Sequence, residues 1–310
     1  MAEDRKKDWT SADIPSQKGK SVVITGTGGI GYEIALELTR AGAQVIMAGR
    51  NRSKGEEAIN KIMKVNPSGS IRFEELDLAD LASINAFGER LKVQHNSLDI
   101  LVNNAAVMNP PKRLVTKDGF ELQMGTNYLG HFALTAQLLP LLLKGNKPRV
   151  VTLSSIAHRA GVINFDDLQS ENSYKPMVAY SQSKLACLMF ALELQRRSDA
   201  FGWGISSLGA HPGISRTELI PNGAGKNSPT GIVRRLFGPV LFQPAAHGAW
   251  PPLYAATSES ATGGTYYGPS RMNEMRGYPM IAKIAPQALD ADASTKLWEV
   301  SEQLTKVKFV

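Results

Sequence analysis

Tyr180 and Lys184 are the two residues of this sequence whose spacing most directly suggests chemistry. Residues four apart on a helix project from the same face, so a phenol and an ammonium can share one hydrogen-bonding environment. A free phenol loses its proton only near pH ~10, and a neighbouring ammonium lowers that pKa towards neutrality. The pair therefore predicts an acid–base catalyst. The same spacing also suits an aromatic residue that packs on its helix while the lysine reaches water.

Short apolar stretches with strand character alternate with helical stretches along the chain. We predict strands at 21–25, 44–48, 71–76, 100–102, 149–154 and 205–208, and helices at 32–41, 81–95, 119–143 and 178–198. The alternation indicates an α/β fold with a single doubly wound parallel sheet and helices on both faces. Ligands of such sheets bind beyond the carboxyl ends of the strands. We therefore expect one active site, built from residues that follow strands: Gly26, Asn103, Ser155 and Pro212.

A glycine-rich turn, TGTGGIG at 25–31, joins the first predicted strand to its helix. Gly26, Gly28 and Gly31 have the spacing of dinucleotide-binding turns. In such turns the backbone approaches a pyrophosphate, and the helix N-terminus faces its negative charge. The turn therefore predicts a bound dinucleotide.

Together these motifs resemble the short-chain dehydrogenase/reductase family, and in particular its retinol-dehydrogenase-like branch and the bacterial relatives of that branch. The matching stretches are VIMAGR at 45–50, LDILVNNA at 98–105, NYLGHF at 127–132, NFDDL at 164–168 and AYSQSKLA at 179–186. The resemblance implies a single Rossmann-type domain over residues 19–310. It also implies an oxidoreductase that moves hydride between a nicotinamide cofactor and a carbonyl compound or alcohol.

The resemblance assigns the catalytic roles to Asn127, Ser155, Tyr180 and Lys184. Tyr180 would give a proton to a carbonyl oxygen as hydride reaches the carbon, and Ser155 would hydrogen-bond the same oxygen. Lys184 would also hold the nicotinamide ribose, and Asn127 would position a water that links Lys184 to solvent. Ser154 competes with Ser155 for the substrate side, and the second serine is the one that usually matches in relatives.

Cofactor contacts are implied in the same way. The residues concerned are Gly26, Thr27, Gly29, Ile30, Gly31, Arg50, Asp77, Leu78, Asn104, Ala105, Tyr180, Lys184, Pro212, Gly213, Ile214 and Thr217. Ile214 would contact the carboxamide, Thr217 a phosphate and Asp77 the adenine side, although Asp77 equally suits the N-cap region of a helix. The glycine turn is one residue shorter than the family pattern, and Ala106 stands where the family has glycine. We expect the turn geometry to differ and Ala106 to narrow the site.

The end of the second strand predicts the choice of cofactor. Relatives specific for NAD place there a carboxylate that accepts from the ribose 2′-hydroxyl. This chain has Gly49 followed by Arg50, and a guanidinium can bind a 2′-phosphate through two hydrogen bonds. We therefore expect NADP (NADPH), with Arg52, Ser53 and Lys54 assisting. The alternative for Arg50 is an ordinary surface arginine.

The stretch from about 218 to 245 interrupts the alternation at the place where relatives carry a lid over the substrate. Its apolar residues exceed what a solvated loop needs: Leu219, Ile220, Ile232, Val233, Leu236, Phe237, Val240, Leu241 and Phe242. Glycines within it can act as hinges. We expect an apolar pocket wall and a small hydrophobic carbonyl or alcohol substrate.

Composition excludes several other classes. The chain has 310 residues with 43% hydrophobic residues, enough for a sizeable core, and a formal net charge of +7. The basic residues are scattered, so a solvated surface and an anionic cofactor explain the charge better than nucleic acid does. No group of residues has metal-ligand spacing, so we expect no metal. The single cysteine, Cys187, fits a reducing compartment, and we expect a cytoplasmic protein.

Three segments carry further expectations. Residues 1–18 are charged and predict a flexible tail that is neither a secretory signal nor an anchor. The uncharged stretch 122–143 has the length of a membrane span. It contains Asn127, His131 and Pro140, so we expect a buried helix and no membrane span. The apolar faces of helices 119–143 and 178–198 predict a homodimer or homotetramer packed through them.

Two other functions remain open at this stage. A cofactor-sensing protein could keep the fold without catalysis, although it has no need for both Tyr180 and Lys184. A light-driven double-bond reductase of the protochlorophyllide type shares the tyrosine–lysine pair, but it predicts several cysteines where this chain has one.

Overall fold

The computed structural model describes residues 8–215 and 243–309. Within these ranges one sheet has the strand order β3-β2-β1-β4-β5-β6-β7-β8. Its strands are β1 (Ser21–Thr25), β2 (Gln44–Gly49), β3 (Ser70–Glu75), β4 (Ile100–Asn103), β5 (Arg149–Leu153), β6 (Ser206–Ala210), β7 (Tyr266–Arg271) and β8 (Arg276–Ile281). The strands from β3 to β7 are parallel, whereas β8 pairs with β7 as an antiparallel hairpin. The predicted doubly wound sheet is confirmed, with an added antiparallel edge.

Helices cover both faces of this sheet. The longer ones are α1 (Ile30–Arg40), α2 (Arg52–Val65), α3 (Leu81–Gln94), α4 (Gly130–Leu142), α5 (Pro176–Phe201), α6 (Trp250–Thr257) and α7 (Ala291–Thr305). Alternate residues of β1 point to opposite sides, so Val22 and Ile24 pack in the core with α1, α2 and α6. Val23 packs in the other core, with α3, α4, α5 and α7. The strand order turns back between β1 and β4, and ligands bind at that point in such sheets.

The predicted helix 119–143 is shorter and begins irregularly. A π-helical segment, Met124–Leu129, precedes α4. The buried Glu121 carboxylate accepts from the backbone N–H groups of Gln123 (2.9 Å) and Met124 (2.7 Å), which caps this first turn. In the described ranges, no helix has the length and apolar character needed to cross a membrane.

The C-terminal helix α7 and the tail after it cover the outer faces of α4 and α5. Trp298 of α7 packs edge-on to Phe132 of α4 at 5.0 Å between ring centroids and stacks on Phe190 of α5 at 5.8 Å. Phe309 lies 4.4 Å from Trp298 and 5.0 Å from Phe132. The faces predicted to contact another subunit are thus occupied here by aromatic residues of the same chain.

Residues 8–18 pack against the domain, although the predicted flexible tail extended to residue 18. The Trp9 ring meets Tyr254 of α6 edge-on at 5.4 Å, and Ile14 adds to the same core. Gln17 is buried, and its backbone N–H donates to Ala41 O at 2.8 Å. These apolar contacts join the segment to the sheet, while residues 1–7 lie outside the described part of the chain.

Candidate active site

A cavity of about 920 Å³ opens beyond the carboxyl ends of the central parallel strands. Its lining includes the glycine turn after β1, Asn104 to Ala106 after β4, Ser154 and Ser155 after β5, and Pro212 to Ser215 after β6. Tyr180 and Lys184 reach it from α5. Segments that are far apart in sequence therefore meet at one edge of the sheet.

Tyr180 and Ser155 lie together in this cavity. Tyr180 is only 5% exposed. Burial raises the pKa of its phenol to about 12, and a hydrogen bond with the Ser155 side chain opposes that rise. Ser154 Oγ instead donates to the backbone carbonyl of Lys184 at 2.6 Å. The Ser154 hydroxyl is thus tied to α5, while the Ser155 hydroxyl lies beside the phenol.

Lys184 is buried on the same face of α5, and burial lowers the pKa of its ammonium. Its Nζ donates to Leu153 O at 3.0 Å and lies 6.0 Å from the centre of the Tyr180 ring. The spacing of the two residues predicted a lowered tyrosine pKa, and in this structure that prediction is wrong. Burial disfavours the charged phenolate, and the lysine is bonded to a backbone carbonyl and not to the phenol.

Asn127 lies one layer behind the cavity lining, in the π-helical segment. Its amide exchanges two hydrogen bonds with the backbone of Val107, at 2.8 and 2.9 Å, and also donates to Ser183 Oγ at 3.0 Å. Its backbone carbonyl accepts from His131 Nδ1 at 2.8 Å and from Cys187 Sγ at 3.1 Å. Asn127 therefore joins the loop after β4 to α5 beneath Lys184.

His131 connects this region to the glycine turn. Since its Nδ1 donates to the Asn127 carbonyl, its Nε2 accepts from the Thr25 hydroxyl at 2.8 Å. The Thr25 oxygen in turn accepts from the backbone N–H groups of Asn104 and Ala105, both at 2.9 Å. Burial lowers the pKa of His131 to about 4. This link could not be predicted from the sequence, because a histidine on a buried helix is typical of a structural residue.

The glycine turn after β1 has a backbone that depends on the absence of side chains. Gly26 and Gly29 have positive φ angles of 92° and 53°. A Cβ on Gly31 would lie 2.5 Å from Gly26 O, whereas a Cβ on Gly28 would meet nothing within 4 Å. Backbone is thus bare towards the cavity at the N-terminus of α1, as the approach of a pyrophosphate requires. The residues present fit a dinucleotide.

The predicted adenosine-side residues are only partly brought together. Arg50 follows β2 on the surface and is not part of the cavity lining, whereas Lys54 lines the cavity from the first turn of α2. Asp77 and Leu78 do not line it. Asp77 Oδ1 accepts from the N–H of Ala79 at 3.0 Å within its own turn, and Leu78 is a core residue. The Asp77 carboxylate thus bonds within a local turn ahead of α3, whose N-cap is Asp80.

The segment after β6 carries the other predicted contacts. Pro212, Gly213 and Ile214 line the cavity. Thr217 and most of the predicted lid at 218–245 lie outside the described residues; Gln243 to Ala245 are described. Ala106 has no positive φ angle, so an alanine is accommodated there without strain.

Some cavity residues had no signal in the sequence. They are Tyr32, Glu57, Ala58, Lys61, Met108, Leu153, Ala157, Met177 and Ser215. Met108 and Met177 are apolar residues in loop and helix-start positions, which read equally well as packing residues. Among the described residues, no group of three or more His, Cys, Asp or Glu side chains is placed to hold a metal ion.

Comparisons with known proteins agree with this geometry. The short chain dehydrogenase family model matches residues 20–224. Human retinol dehydrogenase 14 is 39% identical over 303 residues, which cover 92% of this chain and 85% of the relative. Human polyprenol dehydrogenase is 40% identical over 255 residues, which cover 81% of this chain and 76% of the relative.

Solved structures show the same relationship. A protein from Mycobacterium paratuberculosis superposes with a TM-score of 0.81 at 41% identity, covering 98% of this chain and 99% of its own. The Pseudomonas aeruginosa RhlG/NADP active-site complex shares the fold, with a TM-score of 0.64 at 23% identity and coverage of 81% and 94%. The chain belongs to the short-chain dehydrogenase family of hydride-transferring oxidoreductases, in its retinol-dehydrogenase-like branch.

Proposed function

We propose that this chain is an NADPH-dependent oxidoreductase that interconverts a hydrophobic ketone or aldehyde and the corresponding alcohol. One observation carries the proposal: the buried Tyr180 phenol and the Ser155 hydroxyl lie together in a cavity that also contains the bare glycine turn. The cofactor supplies hydride chemistry when bound. The residues of this chain bind it, exclude water and hold the exchangeable proton.

Tyr180 is the proton donor in the direction of carbonyl reduction. A phenol with a raised pKa stays protonated at neutral pH, so its proton is available to the oxygen of a substrate carbonyl. Ser155 donates a second hydrogen bond to that oxygen as negative charge develops. Lys184 lines the cavity and bonds to Leu153 O, and Asn127, behind the lining, joins the loop after β4 to α5.

NADPH is favoured over NADH by the side chains near the end of β2. Gly49 supplies no carboxylate to repel a 2′-phosphate. Within residues 8–215 and 243–309, the exposed Arg50 guanidinium has no ion-pair or hydrogen-bond partner, so it is available to a phosphate. Arg52 is instead engaged with Glu56 (3.6 Å) and Glu75 (3.9 Å).

A hydrophobic substrate is favoured by apolar side chains of this cavity. Met108, Met177 and Ile214 line it with flexible or branched apolar side chains. The relatives named above are a retinol dehydrogenase and a polyprenol dehydrogenase, whose names denote apolar alcohols. We therefore expect bulky apolar carbonyl compounds to bind better than polyhydroxylated ones.

The test is an assay of NADPH consumption with ketones of increasing chain length. Each buried methylene improves binding by up to about 0.8 kcal/mol until the pocket is full, so kcat/KM rises and then levels off. The Tyr180→Phe protein is the control for turnover at this site. A flat series, or a preference for sugars, contradicts the substrate class. Tight NADPH binding without turnover on any carbonyl compound favours the cofactor-sensing alternative.

A further inference from the structure

A buried cluster of charged and ionisable side chains lies beside the cavity and has no part in the chemistry above. Glu274 and His211 are 6% and 0% exposed, and Arg159 completes the cluster. Glu274 Oε2 accepts from Arg159 Nη2 at 2.5 Å and from His211 Nε2 at 3.0 Å. Its other oxygen accepts from the backbone N–H of Lys283 at 3.0 Å. All the described contacts of this carboxylate are therefore to donors.

The backbone that carries Glu274 is strained. Met272, Asn273 and Glu274 have φ angles of 52°, 52° and 67° in the turn between β7 and β8. Side chains other than glycine rarely adopt this conformation, and it persists only where the surroundings determine it. The contacts of the carboxylate supply such surroundings. The conformation of this turn therefore places the Glu274 carboxylate between Arg159 and His211.

Arg159 connects the cluster to the catalytic serine. It lies in the 3-10 turn Ile156–Ala160, which begins directly after Ser155. In the same turn His158 Nδ1 donates to Ser155 O at 2.6 Å. The Tyr266 ring lies between the two histidines, 5.3 Å from His158 and 5.1 Å from His211 between ring centroids. One end of the cluster is thus fixed to the wall of the cavity that holds Ser155.

His211 connects the cluster to the loop after β6, which also lines the cavity. Its Nδ1 accepts from the N–H of Gly213 at 3.2 Å, so its Nε2 carries the proton that is donated to Glu274. A Cβ on Gly268 would lie 1.9 Å from His211 Nε2, so the imidazole lies directly on bare backbone. The backbone N–H of Ile214 donates to Met275 O, next to Glu274, at 2.9 Å. The loop Pro212–Ile214 is therefore held from the β7–β8 turn.

We propose that Glu274, through Arg159 and His211, is a positioning residue that fixes the Pro212–Ile214 loop relative to Ser155. The inference rests on the proposed function, together with the expectation from the family that Ile214 contacts the carboxamide of the cofactor. Glu274 does not line the cavity, so it acts only through the loop. Without its charge, the half-buried Arg159 guanidinium loses its partner, and Ser155 and the Pro212–Ile214 loop lose the residue that both are joined to.

The test compares two ligands in Glu274→Gln: NADPH, and 2′-phospho-ADP-ribose, which lacks the nicotinamide. We expect calorimetry to show NADPH binding weakened by about tenfold, as for loss of hydrogen bonds to a charged group. The fragment should bind as it does to the unmodified protein. A displaced nicotinamide should also lower kcat by up to about 10²-fold. Glu193→Gln is the matched control, because that carboxylate is equally buried and binds Arg197 at 2.7 Å, away from the cavity.

Each outcome decides between structural damage and positioning. Equal weakening of both ligands, or no change in either, overturns the inference, as does the same selective loss in Glu193→Gln. Where Glu274→Gln does not fold, Arg159→Gln removes the same ion pair from a more exposed residue and must show the same selective loss. If the unmodified protein binds neither NADPH nor the fragment, the result counts against the proposed function instead.

Discussion

The buried end of the cavity, at Tyr180, and the exposed end, towards Arg50, use charge in opposite ways. Tyr180 and Lys184 are buried. Loss of hydration raises the pKa of Tyr180 and lowers the pKa of Lys184, so it favours the neutral form of each group. Arg50 and Lys54 stand at the surface, where water and salt screen their charges. The buried end depends on the exact placement of a few groups. At the exposed end, the attraction between a side-chain charge and an anionic ligand changes little when the side chain moves. Substitutions at the two ends should therefore fail in different ways.

The largest effect is expected at the buried end, from Tyr180→Phe. The ring still fills its place, but no proton is available to the carbonyl oxygen, so kcat should fall by a factor of about 10² to 10⁴. NADPH affinity should change little, because the hydroxyl contributes mainly to the chemical step. Steady-state kinetics and NADPH titration of the same preparation measure both. Turnover close to that of the unmodified protein would end the proposed role of Tyr180.

A smaller effect tests whether the buried region is sensitive to pH. The pKa of His131 is lowered from 6.5 to about 4, so between these values the unfolded chain binds a proton that the folded chain does not. Stability therefore falls as pH decreases through this window. From pH 7 to pH 5 the unmodified protein should lose about 2 kcal/mol more stability than His131→Gln.

Urea unfolding at the two pH values measures this difference. His158 and His211, whose pKa values burial also lowers, remain in both proteins and cancel in the comparison. Equal losses in the two proteins would show that the pKa of His131 is the same in the folded and unfolded chains, which contradicts the lowered value.

The smallest effect is expected at the exposed end, from Arg50→Ala. Loss of a charged hydrogen-bond donor to a 2′-phosphate should weaken NADPH binding by about tenfold and leave NADH unchanged. Added salt should reduce the difference, because the site is exposed. Arg52→Ala is the control, since its guanidinium already lies over the Phe73 ring at 5.5 Å. An unmodified protein that prefers NADH would contradict the role given to Arg50.

The sequence allowed the parallel part of the fold to be predicted because its signals are local. The strand at Ser21–Thr25 was predicted with the bounds it has, since an apolar run ends there in a glycine turn. The β7–β8 hairpin was missed. Its turn at Met272, Asn273 and Glu274 has positive φ angles without a single glycine, so the usual turn signal is absent.

Features of the candidate site that depend on the spacing of residues could be predicted from the sequence. Features that depend on burial in the folded chain could not. Tyr180 and Lys184 share a helix face, which a periodic pattern shows, but the direction of the tyrosine pKa follows from desolvation. Arg159 and Glu274 are 115 positions apart, and each reads as an ordinary surface charge until the fold brings them together. Contacts of this kind have no local signature.

The cover formed by α7 and Phe309 has a consequence for synthesis of the chain. The aromatic faces of α4 and α5 leave the ribosome well before the residues that shield them, so Phe132 and Phe190 meet Trp298 only at a late stage. Until then the nascent domain displays an apolar surface that favours aggregation and binding by chaperones. Completion of folding on this side of the sheet is thus tied to the arrival of the last helix.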